Sequence, residues 1–134
     1  MSKELHGGCL CGAVEYAVAD ALQYARYCHC SECRRFSGSA FSAFGGVAKA
    51  DFRLLKGAEH VGLYPKSGDT VLAFCRTCGS SLYADKPRRG MVHLRLGTLR
   101  DAPALWPQAH VHVASKAPWY EIGDDLPQYE TTSR

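Results

Sequence analysis

Seven cysteines, grouped in three short clusters, constrain this chain more than any other feature of its sequence. The clusters are Cys9-Leu10-Cys11, Cys28-His29-Cys30-Ser31-Glu32-Cys33 and Cys75-Arg76-Thr77-Cys78, and no cysteine lies outside them. An odd number of cysteines cannot pair completely in disulfides, and a Cys-x-Cys bridge is sterically strained. Buried thiols that merely fill a core would not be sorted into ligand spacings. The pattern therefore predicts metal binding.

The first and third clusters together predict a structural zinc site. Two bidentate pairs complete the tetrahedron that Zn²⁺ prefers, and these pairs are Cys9 with Cys11 and Cys75 with Cys78. In an extended chain, side chains two positions apart share a face, so Cys9 and Cys11 can hold one ion. Gly79 follows the second pair and can adopt the positive φ that a Cys-x-x-Cys turn often requires.

The middle cluster predicts a second zinc site with an open position. Cys28, Cys30 and Cys33 supply three sulfurs, as in catalytic zinc sites that leave the fourth position to water or substrate. A thiol substrate could bind there and lose its proton. The alternative is a second structural site, closed by His29 or by a distant histidine. His29 points away from the ion if Cys28 and Cys30 share one strand face.

Two arginines directly follow the triplet and are candidates for substrate orientation. Arg34 and Arg35 could lower thiol pKa values or bind a substrate carboxylate, although a solvated pair is the simpler interpretation. The strand-like segments contain His93, His110 and His112, for which packing is the default role.

The chain length and the hydrophobic pattern predict one mainly β domain with little helix. A chain of 134 residues fits a single domain over residues 1–134, with a core of about 5–120 and a C-terminal tail of about 121–134. One or two helical turns are expected from Ser31 to Gly38, and an irregular segment from Leu99, with Glu130 to Arg134 frayed. Strands are expected near residues 14–18, 41–44, 52–55, 60–64, 70–74, 91–96 and 110–113.

Composition and charge disfavour several other classes of protein. The chain is 46% hydrophobic and 22% charged, which argues against a disordered chain. It has no apolar run long enough to cross a bilayer, and its start lacks the apolar core of a signal peptide. We therefore expect a cytoplasmic protein with reduced thiols and no membrane partner. The formal charge of +3 becomes zero once seven thiolates and two Zn²⁺ are counted, so nucleic acid is an unexpected partner.

Four motifs, in this order and spacing, resemble the glutathione-dependent formaldehyde-activating enzyme family. The resemblance extends from about Leu5 through the Lys116-Ala117-Pro118-Trp119 segment. The motifs are Gly7-Gly8-Cys9-Leu10-Cys11-Gly12-Ala13-Val14, Cys28-His29-Cys30-Ser31-Glu32-Cys33-Arg34-Arg35, Phe74-Cys75-Arg76-Thr77-Cys78-Gly79-Ser80 and Leu96-Gly97-Thr98-Leu99.

The resemblance implies an Mss4-like β-sheet fold with two zinc ions per chain, assigned to the same cysteines as above. It also implies carbon–sulfur lyase chemistry on a thiol–aldehyde adduct, as in the joining of formaldehyde to glutathione to give S-hydroxymethylglutathione. The expected partner is a small-molecule thiol, with glutathione as one candidate. Two other hypotheses stay open at this point: a zinc-stabilised binding module for protein or nucleic acid without catalysis, and a zinc reservoir. The sequence does not indicate an oligomeric state.

Overall fold

A computed structural model describes residues 3–132 and confirms a mainly β protein. Strands make up 42% of the structure, and the described residues contain one α-helix. Short 3₁₀ turns cover Lys49–Asp51, Ala58–His60, Pro87–Arg89, Leu96–Thr98 and Val113–Ser115. The longer elements are β1 (Glu4–Gly8), β2 (Glu15–Ala19), β3 (Tyr24–Cys28), α1 (Ser31–Ser37), β4 (Ser42–Ala48), β5 (Phe52–Lys56), β6 (Val61–Ser67), β7 (Thr70–Cys75), β8 (Ser81–Lys86), β9 (Met91–Arg95) and β10 (His110–Val111).

The strands form two sheets. The smaller sheet is antiparallel with the order β1-β2-β5, and the larger sheet has the order β10-β3-β4-β9-β8-β7-β6. Neighbouring strands of the larger sheet are antiparallel except β10, which runs parallel to β3. The seven expected strand regions contain strands, whereas β1, β3 and β8 were not expected.

The hydrophobic core lies between the two sheets. Leu5 and Tyr16 of the smaller sheet are fully buried in one cluster with Val92 and Leu94 of β9. Successive side chains of a strand point to opposite faces, so His93 and Arg95 point away from this core. That opposite face of the larger sheet is therefore free to line a functional site.

The single described helix is short and is fixed by local signals at both ends. Cys30 is the N-cap, and its Sγ accepts a hydrogen bond from the backbone N–H of Cys33 at 3.2 Å. Gly38 has a φ of 66° and donates its N–H to the Arg34 carbonyl, which ends the helix. The expected helix from Ser31 to Gly38 is confirmed.

The C-terminal segment is mostly irregular, as expected, but it is paired where fraying was expected. The Thr131 carbonyl accepts the His112 N–H at 2.7 Å, and the Glu130 carbonyl accepts the Ala114 N–H at 3.3 Å. These hydrogen bonds attach the end of the described chain to the segment that follows β10. Ser133 and Arg134, also expected to be frayed, lie outside the described residues. Within residues 3–132, no helix is long and apolar enough to cross a membrane.

Candidate metal centres and their cavity

Two turns bring the first and third cysteine clusters together. Cys9 and Cys11 lie in a turn after β1, not in the extended segment that the sequence suggested, and their sulfurs are 3.6 Å apart. Cys75 ends β7, and its sulfur lies 3.8 Å from that of Cys11. With Cys78, all four sulfurs lie within 4.8 Å of one another. Gly79 has a φ of 81°, so the expected positive φ is confirmed.

These four thiols fit a tetrahedral metal site. Zn–S bonds of about 2.3 Å in a tetrahedron place neighbouring sulfurs about 3.8 Å apart, close to the two distances observed. The Val14 backbone N–H donates to Cys9 Sγ at 3.2 Å, which supports negative charge on that sulfur. The donor set and its spacing therefore match a closed four-sulfur site.

The middle cluster brings three sulfurs together at the junction of a strand and a helix. Cys28 is the last residue of β3, Cys30 caps α1 and Cys33 lies in its first turn. Their sulfurs lie within 4.8 Å of one another. Cys28 and Cys30 do not share a strand face, because the chain leaves the sheet at Cys28; the helix cap now directs Cys30 toward the site.

The three thiols of this triplet interact strongly. Hydrogen bonds from the Cys28 and Cys33 thiols lower the pKa of Cys30 far below the ordinary thiol range. The hydrogen bond to Cys30, followed by that to Cys33, raises the pKa of Cys28. One thiolate shared by two thiol donors is the state expected of a metal-free cluster, and three thiolates would need a cation among them.

A cavity of about 550 Å³ contains the triplet at one end. Its floor is the free face of the large sheet, to which alternate residues of neighbouring strands contribute, such as Tyr24, Arg26 and Cys28 of β3. Glu32, Cys33 and Phe36 of α1 belong to its wall. The remaining lining residues are Cys30, Phe44, Lys66, Thr70, Leu72, Ala84, Lys86, Arg89, His93, Arg95, Val111, His112 and Thr132.

Arg95 is a cavity residue that the sequence analysis missed. It is only 9% exposed, and its Nε has no hydrogen-bond partner among the described residues. Burial lowers the pKa of this guanidinium, and the charges of Cys33, Cys28 and Cys30 oppose that shift. A buried cation beside the triplet is thus available to an anion in the cavity. No local motif marked it, since Arg95 reaches the site through strand pairing.

Arg34 and Arg35 do not belong to the described cavity lining. Arg35 is exposed, whereas Arg34 is partly buried and its Nε has no partner among the described residues. The Arg34 charge helps to lower the pKa of His29, so this side chain lies near that ring. The role predicted for the two arginines stays a prediction.

His29 belongs to neither group of candidate metal ligands and is instead part of a buried hydrogen-bonded chain. Its Nε2 is 2.8 Å from His110 Nδ1, and His110 Nε2 is 3.0 Å from an oxygen of Asp124. The Asp124 carboxylate accepts from His110 Nε2, so His110 Nδ1 accepts from His29 Nε2. Burial is the first cause that lowers the pKa of His29 to about 4, and the Lys116 and Arg34 charges lower it further. A neutral His29 therefore anchors the chain between Cys28 and Cys30.

The family model described as glutathione-dependent formaldehyde-activating enzyme matches residues 4–115. The chain belongs to this family. A Halomonas elongata protein, named provisionally as a glutathione-dependent formaldehyde-activating enzyme, is 32% identical over 126 residues, or 88% of this chain and 80% of the relative. A Schizosaccharomyces pombe protein named as an uncharacterised lyase is 34% identical over 80 residues, or 60% of this chain and 56% of the relative.

A solved structure shares the fold. The crystal structure of a Rhodobacter sphaeroides protein matches with a TM-score of 0.61 and 30% sequence identity. The match covers 74% of this chain and 91% of that one. The residues matched by the family model, 4–115, include all seven cysteines.

Proposed function

We propose that this protein is a zinc-dependent carbon–sulfur lyase that acts on a thiol–aldehyde adduct at the three-cysteine site. The observation that carries the proposal is the position of Cys28, Cys30 and Cys33 at one end of a 550 Å³ cavity. A zinc reservoir has no need of a cavity beside an incomplete ligand set, whereas a small-molecule enzyme does. In this proposal, Cys9, Cys11, Cys75 and Cys78 hold a structural zinc.

The proposed reaction joins a thiol such as glutathione to formaldehyde. The thiol sulfur bonds to the carbonyl carbon, the carbonyl π electrons move to oxygen, and the thiol proton ends on that oxygen. The lyase direction reverses these changes. A zinc ion held by the triplet would lower the pKa of a thiol in its fourth position, so that the attacking sulfur is a thiolate at neutral pH.

Arg95 is proposed to balance charge and to stabilise the reacting oxygen. Three thiolates and one dication leave a net charge of −1, and the buried Arg95 guanidinium brings the local sum to zero. Arg95 lines the cavity, and an N–H of its guanidinium could donate to oxygen as negative charge develops there. The floor of the cavity thus supplies an oxyanion donor that the triplet itself lacks.

The compartment that we propose for this protein follows from its free thiols. Seven free cysteines require a reducing environment, so we place the protein in the cytoplasm. The proposal treats residues 1–134 as a single zinc-binding domain with a small-molecule thiol as partner.

Cobalt substitution tests the proposed thiol chemistry. Titration of the cobalt-loaded protein with glutathione and with 2-mercaptoethanol should increase the sulfur-to-metal absorption and release a proton near neutral pH. An unchanged spectrum with every thiol would mean that the site is closed and would overturn the lyase proposal.

Arginine variants separate the two positions at which substrate oxygen atoms could be bound. Arg95→Gln should slow adduct formation at saturating thiol by about 100-fold, as expected for one oxyanion donor. If Arg34 or Arg35 holds a carboxylate, alanine at that position should weaken glutathione binding by about 1.5–3 kcal/mol. Unchanged affinity in both alanine variants would contradict the role predicted for them.

A further inference from the structure

The lining of the cavity is strongly basic. Five cationic side chains line the cavity, and the described lining contains one carboxylate, that of Glu32. This carboxylate is already engaged, because Lys66 Nζ lies 2.6 Å from it. The other four cations are Arg26, Lys86, Arg89 and Arg95.

Three of these four cations, Arg26, Lys86 and Arg95, have no carboxylate partner among residues 3–132, whereas Arg89 Nε lies 3.6 Å from an oxygen of Asp69. Arg26 places its guanidinium carbon 4.6 Å from the centre of the Tyr24 ring. Lys86 Nζ donates to the Thr70 hydroxyl at 2.8 Å. Tyr24 and Thr70 are neutral, so neither of these two contacts neutralises its cation, and the carboxylate that acts on Lys86 is Asp69, which is paired with Arg89.

The positive charges around the cavity lower the pKa values of neighbouring side chains. Burial, and then the charges of Arg89 and Lys66, lower the pKa of Lys86. Burial, and then Lys86 and Arg89, lower the pKa of His93 to about 3. Like charges around a partly enclosed space repel one another, and an anion that enters relieves the repulsion. The field in the cavity therefore favours negatively charged ligands.

Strand register places part of this basic lining away from the triplet. Tyr24 pairs with Gly46, and Gly46 pairs with His93, so Tyr24 and His93 lie in one row across the sheet. Cys28 is four residues further along β3, a backbone distance of about 13 Å. Lys86 lies one row further from Cys28, because Ala84 pairs with His93 and Lys86 pairs with Met91.

The row of Tyr24 and His93 is continuous because position 46, which lies between them, has no side chain. A Cβ at Gly46 would lie 2.3 Å from Cζ of Tyr24, so the tyrosine ring crosses β4 only because position 46 is glycine. The Tyr24 hydroxyl then reaches His93 Nε2 at 2.7 Å. This contact fixes the ring on which the Arg26 guanidinium rests.

We propose that Arg26, Lys86 and Arg89 form a second subsite that binds an anionic group of the substrate thiol, a carboxylate or a phosphate, roughly 10 Å from its sulfur. The proposal rests on the proposed function and names its substrate class: a thiol that carries a carboxylate or a phosphate at about this distance and no ammonium group. An ammonium finds no free carboxylate in the described lining, since Glu32 is paired with Lys66. Glutathione, which carries an ammonium, is then a poorer ligand than its deaminated analogue.

The test measures thiol affinities of the cobalt-loaded protein by absorption titration. The ligands are glutathione, deaminated glutathione, the phosphate-bearing thiol phosphopantetheine and the uncharged thiol 2-mercaptoethanol. Arg26→Gln and Lys86→Gln should each weaken the preferred anionic thiol about tenfold or more, whereas 2-mercaptoethanol should bind unchanged. Whichever of the deaminated peptide and phosphopantetheine loses more affinity identifies carboxylate or phosphate as the group bound.

Three controls keep this test independent of folding and of the proposed reaction. Lys56 is exposed at the end of β5 and lies outside the described lining, so Lys56→Gln should leave every affinity unchanged. Lys86→Arg should restore most of the affinity lost in Lys86→Gln. Losses no larger than those of Lys56→Gln, or tighter binding of glutathione than of its deaminated analogue, would overturn the subsite. Failure of 2-mercaptoethanol to change the spectrum would instead overturn the proposed function.

Discussion

The two cysteine sites should stabilise the fold to different extents, and matched double substitutions measure the difference. The sulfurs of Cys11 and Cys75 are 3.8 Å apart although the residues are 64 positions apart. By the loop-closure relation, a cross-link over that length removes about 4 kcal/mol of entropy from the unfolded chain. The triplet spans six consecutive residues, for which the same relation gives about 2 kcal/mol. Cys75→Ser/Cys78→Ser should therefore cost about twice as much as Cys28→Ser/Cys30→Ser.

Thermal and urea unfolding of the zinc-saturated proteins would show this difference. For a domain of this size, 1 kcal/mol corresponds to about 3–4 °C, so the expected losses in Tm are roughly 12–16 °C and 6–8 °C. The substitutions are matched, because each removes one buried and one partly buried cysteine. Excess chelator should bring the wild type and both variants to similar stabilities. Equal losses in the two variants, with zinc bound, would refute the division into a long-range structural site and a local open site.

The row of Tyr24, Gly46 and His93 on the large sheet allows two more predictions. Because the folded protein holds the pKa of His93 at about 3 while an unfolded histidine titrates near 6.5, stability should fall as the pH drops from about 6.5 toward 3. The Tm of His93→Gln should fall less steeply over this range, and parallel slopes would contradict the assignment. Gly46→Ala should cost about 1–3 kcal/mol in urea unfolding, because the new methyl group displaces the Tyr24 ring. Gly97→Ala, where a Cβ meets no atom within 4 Å, is the control, and an equal cost there would refute the steric argument.

The two groups of candidate metal ligands could be predicted from sequence, because the geometry within each short cysteine motif is local. Cys-x-Cys and Cys-x-x-Cys spacings bring sulfurs together whatever the surrounding fold, and the grouping into four and three followed from zinc's ligand count. The backbone that carries them could not be predicted in detail. Cys9 and Cys11 lie in a turn and Cys30 caps a helix, although alternating geometry had suggested strands for both pairs.

Contacts that depend on strand pairing could not be predicted from the sequence. Arg95 enters the cavity because β9 pairs with β4, where it lies opposite Phe44, and Phe44 in turn lies opposite Arg26 on β3. No spacing along the chain encodes that row. For the same reason β3 was missed: its burial pattern does not alternate strictly, and the strand is held by its neighbours in the sheet more than by local preference. The helix from Ser31, by contrast, carries its own cap and stop.

Metal content is the most direct test of the central claim that this chain holds two zinc ions of different function. Reduced, zinc-saturated protein should contain two zinc ions per chain, and Cys28→Ser/Cys30→Ser should contain one. On exposure to a weak chelator, the wild type should lose one ion rapidly while remaining folded, and the second only with unfolding. A single zinc in the fully loaded wild type, or the loss of both ions at one rate together with unfolding, would contradict the account.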